Sequence, residues 1–570
     1  MRKNTGLLIL CISVLAFLTL MDSGMLSTSY AECISDEKVC QEVMGTRVEY
    51  EDLLTNLYFD EQDLLYEYHT KTFYYSLVEG SSSAYNPQIK AQSDTESVKV
   101  LFLGEITGAG IEQNQTIQIL AYSDVYYYIY NLKCTTLPLM SINVQEDILR
   151  EEIPMEMTLF DNQKGAANRV TNSTGTIKVR GASSSRLLKT SYKMSLTMES
   201  LGENTRPNHI SLLGMRQDED WILYAPFNDQ EKIRNVFNTN LWTETCGTHN
   251  SEGIQTGIEY KYLELFINGD YMGLYALGYP IDGKLMGVNA AEGETLYKKV
   301  GWGSETTFEP GYSSTDGAVI NGFEVKTVDE MKPDSIYEKW DTLLSYYKQF
   351  YEYRYDNEKL LEMIDIDNAI DTYLFLGLIQ GHDNTRGFEV RNMYLYMYNK
   401  AGTLSILYAP WDMDLTWGNF FSEDWYANYV QQYRLTPQDN LVMRAGPLNQ
   451  LIVNEADGVR EQIVRRYREL RENAWSDESI KELLENYEAD IYGSGAFRRE
   501  LVRWPEGTAN HPDEKLNVFK KYVAERFAVL DAYYADFERN IKVGNDYTFS
   551  VTTEGCEDTK LYQIMKKYSN

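Results

Sequence analysis

The sequence predicts an α+β protein in which a β-rich region precedes a helical one. Between about residues 73 and 285, runs rich in β-branched and aromatic residues alternate with Gly, Asn and Ser turns, which is typical of short strands. From about residue 330 the periodicity becomes helical: Val459, Ile463, Tyr467 and Leu470 fall on one face of a helix. A hydrophobic content of 43% over 570 residues is sufficient for a large folded core.

The first 31 residues have the features of a signal peptide. Arg2 and Lys3 precede an apolar run from Gly6 to Leu20, and Ser29-Tyr30-Ala31 places small residues before the expected cleavage point. The run is shorter than the ~20 residues that a membrane-spanning helix needs. We therefore expect an exported protein, extracellular or associated with the cell envelope, without a stable transmembrane span. An uncleaved anchor is the alternative, and it would also place the body outside the cytoplasm.

Changes of pattern predict four regions after the signal peptide (1–31). Residues 32–135 are predicted to form a β-rich module with a short helical lead-in. Residues 136–285 are predicted to form a sheet with one main helix over 228–242, and the turn pair Asn268-Gly269 predicts a hairpin within it. Residues 286–545 are predicted to be mainly helical around a second hairpin, with a Gly/Ser-rich surface insertion starting at Gly301, and 546–570 form a tail.

Charge and residue usage exclude two classes of function. The net charge of −32 argues against nucleic acid as a partner, because phosphate backbones would be repelled. The sequence contains no CxxC pair and its five His residues are widely scattered, so a zinc site is not expected. Any metal would be a hard cation bound through oxygen ligands.

Polar residues stand at the ends of apolar segments within residues 374–420. Asp383 follows a predicted helix, Asn392 precedes the first strand of a predicted hairpin, and Asp412 follows the second strand. Because a hairpin returns its end near its start, we expect these side chains to converge. Kinases hold Mg²⁺ on substrate phosphates with Asp and Asn side chains of this kind.

Simpler interpretations apply to each of these residues. Asp383 beside Asn384 is also a common turn cap. Asp412 and Asp414 form a D-x-D pattern, which also occurs in solvated loops and at the Mn²⁺ site of nucleotide-sugar transferases.

A phosphate site also needs fixed positive charge. Arg180, Lys189 and Lys193 lie in the basic segment KVRGASSSRLLKTSYKMSL and are predicted to contact the phosphates of a cofactor, although an exposed basic strand edge would look the same. Arg234 is a weaker candidate, since helix capping and surface pairing also explain it. Glu264 alternates with apolar residues, and it either points inward to a cation or lies on the solvated face of its strand.

Several segments, in order, resemble the CotH kinase family of atypical protein kinases, named for a spore-coat protein. The likeness covers about residues 136–540. The segments are LPLMSI, IKVRGASSSRLLKTSYKMSL, WILYAPFNDQEKIRNVF, YLELFINGDYMGLY, GHDN…RNMYLY…LYAPWDMDLTWG and YGSGAFRRELVRWP.

The resemblance implies a two-lobed, kinase-like fold and phosphotransfer from ATP to a coat or cell-surface protein, with Mg²⁺ or Mn²⁺. By its motif, Asp383 matches the catalytic Asp, Asn392 and Asp412 match metal ligands, and Asp414 supports them. The chain also departs from the pattern. Asn392 lies nine positions after Asp383 instead of five, Tyr279-Pro280 replaces an expected acidic pair, and no G-x-G-x-x-G is visible.

Three hypotheses about function follow from these observations. The first is an exported atypical kinase that uses the residues named above. The second is a non-catalytic scaffold of the cell surface or spore coat that keeps the fold, to which the Tyr-rich module and acidic surface are suited. The third is a Mn²⁺-dependent glycosyltransferase that uses Asp412 and Asp414.

Overall fold

The computed structural model describes residues 25–30, 37–60, 62–80, 84–85, 87–94, 96–181, 184–198, 206–299, 319–320, 323–326, 352–381, 383–384, 391–400, 403–419, 446–543 and 549–551, with single positions between 339 and 350. Of the predicted signal peptide, only the backbone of Met25–Tyr30 belongs to this set, and the predicted insertion lies outside it from Gly301 to residue 318. No helix within these ranges is long and apolar enough to cross a membrane.

The strands are numbered in chain order. They are β1 (Met25–Tyr30), β2 (Val48–Glu49), β3 (Asn56–Phe59), β4 (Gln62–Asp63), β5 (Leu65–Glu67), β6 (Thr72–Ser76), β7 (Ala84–Tyr85), β8 (Gln88–Ser93), β9 (Lys99–Phe102), β10 (Ile106–Thr107), β11 (Ile117–Tyr122), β12 (Tyr126–Thr135), β13 (Leu139–Asn143), β14 (Ile153–Phe160), β15 (Val170–Arg180), β16 (Ser191–Thr197), β17 (Ile210–Ser211), β18 (Gln217–Asp218), β19 (Asp220–Tyr224), β20 (Tyr260–Ile267), β21 (Asp270–Gly278), β22 (Thr295–Lys299), β23 (Val319–Ile320), β24 (Phe323–Val325), β25 (Met393–Lys400), β26 (Thr403–Pro410), β27 (Ile541–Val543) and β28 (Phe549–Val551).

The α-helices are numbered in the same way. They are α1 (Glu37–Gly45), α2 (Gly108–Glu112), α3 (Arg234–Thr245), α4 (Gly283–Met286), α5 (Asn357–Glu362), α6 (Ile366–Ile379), α7 (Pro447–Val453), α8 (Val459–Glu472), α9 (Asp477–Glu488), α10 (Ala496–Arg503), α11 (Asn517–Ala535) and α12 (Phe537–Asn540).

The N-terminal region is built on a sheet with the order β5-β6-β12-β11-β9. Another sheet of this region has the order β1-β8-β3-β4, and buried side chains of the two sheets, among them Leu57, Phe59, Ile119 and Leu132, form a hydrophobic cluster of their own. A smaller cluster that includes Tyr74 and Phe266 joins the first of these sheets to the rest of the molecule. The β-rich pattern predicted for this part of the sequence is therefore present.

Seven strands between residues 139 and 278 close into a barrel with the order β13-β14-β15-β16-β19-β21-β20. The barrel closes through a parallel pair, with Leu139 opposite Glu264, whereas the other neighbours run antiparallel. The predicted hairpin turn is confirmed: Asn268 and Gly269 both have positive φ, at 52° and 82°, and join β20 to β21. The predicted helix between β19 and β20 is α3.

A second sheet, with the order β23-β24-β22-β25-β26, lies within the helical half of the chain. It contains the predicted second hairpin, β25–β26. The predicted one-faced stripe is confirmed in α8, where Val459, Ile463, Tyr467 and Leu470 are the buried residues. The structure is thus α+β, with the second hairpin placed between α6 and the helices after residue 446.

Candidate functional site

The β25–β26 hairpin brings its two ends together. Met393 pairs with Pro410, and the Trp411 backbone N–H donates to Asn392 O at 2.9 Å. The residues that flank the hairpin, Asn392 and Asp412, both have left-handed backbone, with φ of 50° and 56°. Asn and Asp tolerate this conformation better than most residues. The predicted convergence of these two positions is therefore confirmed.

The turn after α6 joins the same cluster. Asn392 Nδ2 donates to Asp383 Oδ2 at 2.6 Å, and Arg391 lies 3.4 Å from Asp383 Oδ1. Asn384, fully buried, donates from Nδ2 to the backbone oxygens of Asn392 at 3.2 Å and Trp411 at 3.0 Å. One amide therefore joins both ends of the hairpin to the Asp383 turn.

Helix α3 holds the loop that follows β26. Asn235 Oδ1 accepts the backbone N–H of Met413 at 2.9 Å, and Asn238 Nδ2 donates to Met413 O at 2.8 Å. Arg234 Nε donates to the backbone oxygen of Thr416 at 3.1 Å. These contacts fix the backbone on both sides of Asp414.

The carboxylates of this cluster repel one another. Burial raises the pKa of Asp383 to about 6, and Asp412 adds to the effect, while Arg391 and Asn392 oppose it. Burial also raises the pKa of the half-buried Asp414 well above its ordinary value, with Asp412 and Asp383 contributing. Asp412 is exposed. The site therefore has an excess of negative charge that a cation would relieve.

Two cations lie over the ring of Trp411, the residue next to Asp412 in the sequence. The guanidinium of Arg180 lies 5.3 Å from the Trp411 ring centroid, and Lys298 Nζ lies 5.6 Å from it. Both side chains are half-buried, and neither forms an ion pair with a carboxylate among the described residues. Burial and the neighbouring Arg180 lower the pKa of Lys298 to about 8, while Asp412 opposes that shift. Two cations without an ion-pair partner among the described residues, close to the exposed carboxylate of Asp412, suit a phosphate group with its metal.

Sequence reasoning missed Lys298. It lies in β22, between Tyr297 and Lys299, and its cross-strand neighbours are Glu324 and Tyr394. The signal that could have found it is a charged residue in a short apolar strand, TLYKK. Its proximity to Asp412 depends on the pairing of β22 with β25, which the sequence does not reveal.

The other predicted cofactor residues have protein partners instead. Lys189 is fully buried and donates to both oxygens of Glu500 at 2.7 Å and to Leu274 O at 2.6 Å. All three N–H groups of its ammonium are thereby used. Lys193 pairs with Asp220 at 3.1 Å on the barrel. The basic cluster of the sequence is therefore divided, and of these three residues only Arg180 lies beside Trp411.

Arg234 and Glu264 are also occupied. Arg234 is 1% exposed and pairs with Asp229 and Glu231. Its Nε donates to the backbone oxygen of Thr416, in the loop that contains Asp414. Of the two alternatives for Glu264, a side chain pointing inward to a cation or one on the solvated face of its strand, the structure shows the first. The cation is the guanidinium of Arg499, which donates to both oxygens of Glu264 at 2.6 and 2.7 Å. Glu264 is fully buried in β20, where the Tyr271 hydroxyl also donates to it, and an ion pair is what makes a buried carboxylate tolerable.

Comparison with known proteins identifies the class of this chain. A family model described as CotH kinase protein matches residues 177–530. The match covers more than half of the chain and includes the barrel from β15 onward, the second sheet and the helices through most of α11. The chain therefore belongs to the CotH kinase protein family. No curated protein matches it significantly.

Proposed function

We propose that the protein is an exported, CotH-like atypical kinase that transfers the γ-phosphate of ATP to protein hydroxyls. The barrel and the helical region would be its two lobes. The observation that carries the proposal is the proximity of two cations to the acidic cluster. Arg180 and Lys298 form no ion pair among the described residues, both lie over the ring of Trp411, and the charge of the adjacent Asp412 acts on Lys298.

The residues fit a divalent cation, Mg²⁺ or Mn²⁺. Asp412 and Asp414 have no ion-pair partner among the described residues, and the charge of Asp412 contributes to the raised pKa of Asp414. Asn392 donates through Nδ2 to Asp383, which leaves Oδ1 as its ligand atom. A bound cation would neutralise charge on the phosphates of the nucleotide.

Asp383 is suited to act on the acceptor. Its Oδ2 is fixed by Asn392, and its Oδ1 is oriented by Arg391. With a pKa of about 6, its carboxylate is ionised at neutral pH and is a stronger base than an ordinary Asp. We infer that it orients an incoming Ser, Thr or Tyr hydroxyl and accepts its proton.

Arg180 and Lys298 are suited to the phosphates. Both cations are held against Trp411, so little side-chain freedom is lost when a phosphate binds. The lowered pKa of Lys298 follows from burial beside another cation, and an arriving phosphate removes that penalty. Preorganised charge of this kind stabilises the charge that develops during transfer.

Nucleotide binding is the first test. Thermal unfolding of the full chain would be measured with Mg²⁺ and ATP, with Mn²⁺ and UDP-glucose, and with each metal alone. A ligand present at a hundred times its Kd adds about 2.7 kcal/mol to stability. Stabilisation by ATP with metal, followed by phosphate on the protein in intact-mass spectra, supports the kinase. Stabilisation by UDP-glucose alone favours a glycosyltransferase, and no stabilisation favours a scaffold.

A further inference from the structure

Asn419 follows the D-x-D loop and folds back onto it. Its backbone N–H donates to Thr416 O at 2.9 Å, and Trp417 and Gly418 between them have φ of 48° and 79°. Its side-chain Nδ2 donates to the backbone oxygen of Asp414 at 3.2 Å. The residue is 2% exposed, so its carboxamide is held in one place against the loop.

The oxygen of this carboxamide, Asn419 Oδ1, is buried and has no hydrogen-bond partner among the described residues. A buried acceptor without a partner is unfavourable, and folded proteins keep few of them. Asp412 and Asp414 in the same loop also have no cationic side chain paired with them there. Three oxygen-bearing side chains of residues 412–419 therefore lack a positive partner.

We propose that Asn419 Oδ1 is a fourth protein oxygen for the divalent cation of this site, in addition to the carboxylates of Asp412 and Asp414 and to Asn392 Oδ1. The inference rests on the proposed function. Amide and carboxylate oxygens are the ligands that hard cations take. Within the described ranges, no group of three or more His, Cys, Asp and Glu side chains could hold a metal, so a cation at this loop would need amide oxygens beside the carboxylates.

Binding of Mn²⁺ alone tests this role without turnover. Free Mn²⁺ would be titrated by electron paramagnetic resonance against the full wild-type chain and the variants Asn419→Leu and Asn419→Asp. Asn235→Asp is the matched control. It adds the same charge beside the same loop, but Asn235 Oδ1 already accepts the N–H of Met413. Circular dichroism would show that each variant is folded.

The expected pattern is specific to a ligand. Asn419→Leu should weaken Mn²⁺ binding by about tenfold or more, and Asn419→Asp should tighten it, because affinity follows the charge of the ligands. Asn235→Asp should change affinity far less than Asn419→Asp does. Wild-type affinity in a folded Asn419→Leu variant would overturn the role of Asn419 and leave the kinase proposal standing. A wild-type chain that binds no Mn²⁺, with or without ATP, would overturn both.

Discussion

Asn392 and Asp383 are joined by a hydrogen bond of 2.6 Å, although nine positions separate them in the sequence. The longer spacing, compared with five in typical kinases, therefore does not separate the two side chains. Asn384 makes this contact possible because its amide joins the backbone of Asn392 to that of Trp411.

Replacing Asp383 should separate stability from activity. Its pKa in the folded protein, about 6, is above the ordinary value of 3.8. Its contribution to stability is therefore fully present below about pH 3.8 and is lost as the pH rises through 6. We expect Asp383→Asn to be more stable than wild type by about 3 kcal/mol at pH 7, with no gain well below pH 3.8. Denaturant unfolding across this pH range measures it.

The same carboxyl should set the pH dependence of phosphotransfer. The ionised form is the base, so kcat/KM should fall on the acid side with an apparent pKa near 6. Asp383→Asn should lower turnover by about 10²–10⁴. The assigned role would be contradicted if kcat/KM fell on the acid side with an apparent pKa near about 4, the ordinary value for Asp. It would also be contradicted if the Asp383→Asn variant were active.

Asp412→Ala should abolish stabilisation by ATP with Mg²⁺ and leave the fold intact, since Asp412 is exposed and its loop is held by α3. Asp220→Ala is the control, because Asp220 pairs with Lys193 on the barrel. Thermal unfolding with and without ligand measures both variants. Equal loss of the ligand effect in the two variants would show that the nucleotide does not bind at Asp412.

Lys298, and not Lys193, should contribute to nucleotide affinity. Lys298→Met removes an unpaired cation beside Trp411 and should raise the Kd for ATP with Mg²⁺ about tenfold or more, since charged hydrogen bonds contribute about 1.5–3 kcal/mol. Lys193→Met removes a cation already paired with Asp220. Calorimetric titration of both variants distinguishes them, and the reverse order would restore Lys193 as the phosphate residue.

Lys189 should matter for stability. Lys189→Met leaves Glu500 buried without its cation, and breaking such a pair costs about 3–5 kcal/mol. A double variant that replaces both partners of the ion pair by apolar residues, Lys189→Met with Glu500→Leu, should recover much of this lost stability. Urea unfolding measures each form. A variant of normal stability that fails to bind ATP would instead place Lys189 at the phosphates.

Much of the architecture follows from local patterns. The strand alternation of β11 and β12, the Asn268-Gly269 turn and the stripe of α8 are each encoded by a few neighbouring residues. The convergence of Asn392 with Asp412 follows from hairpin geometry in the same way. Motifs in order also identified the family, whose model matches residues 177–530.

The sequence by itself determined the elements, the family and the acidic side of the site, because these depend on periodicity, turns and contiguous motifs. Only the tertiary structure decided the basic side. Lys189 and Arg180 stand nine positions apart, yet one is buried against Glu500 and the other faces Trp411. Lys298 reaches the site through the pairing of β22 with β25. The ion-pair partner of each cation depends on contacts between segments that are distant in the sequence. Composition and local spacing do not predict such contacts.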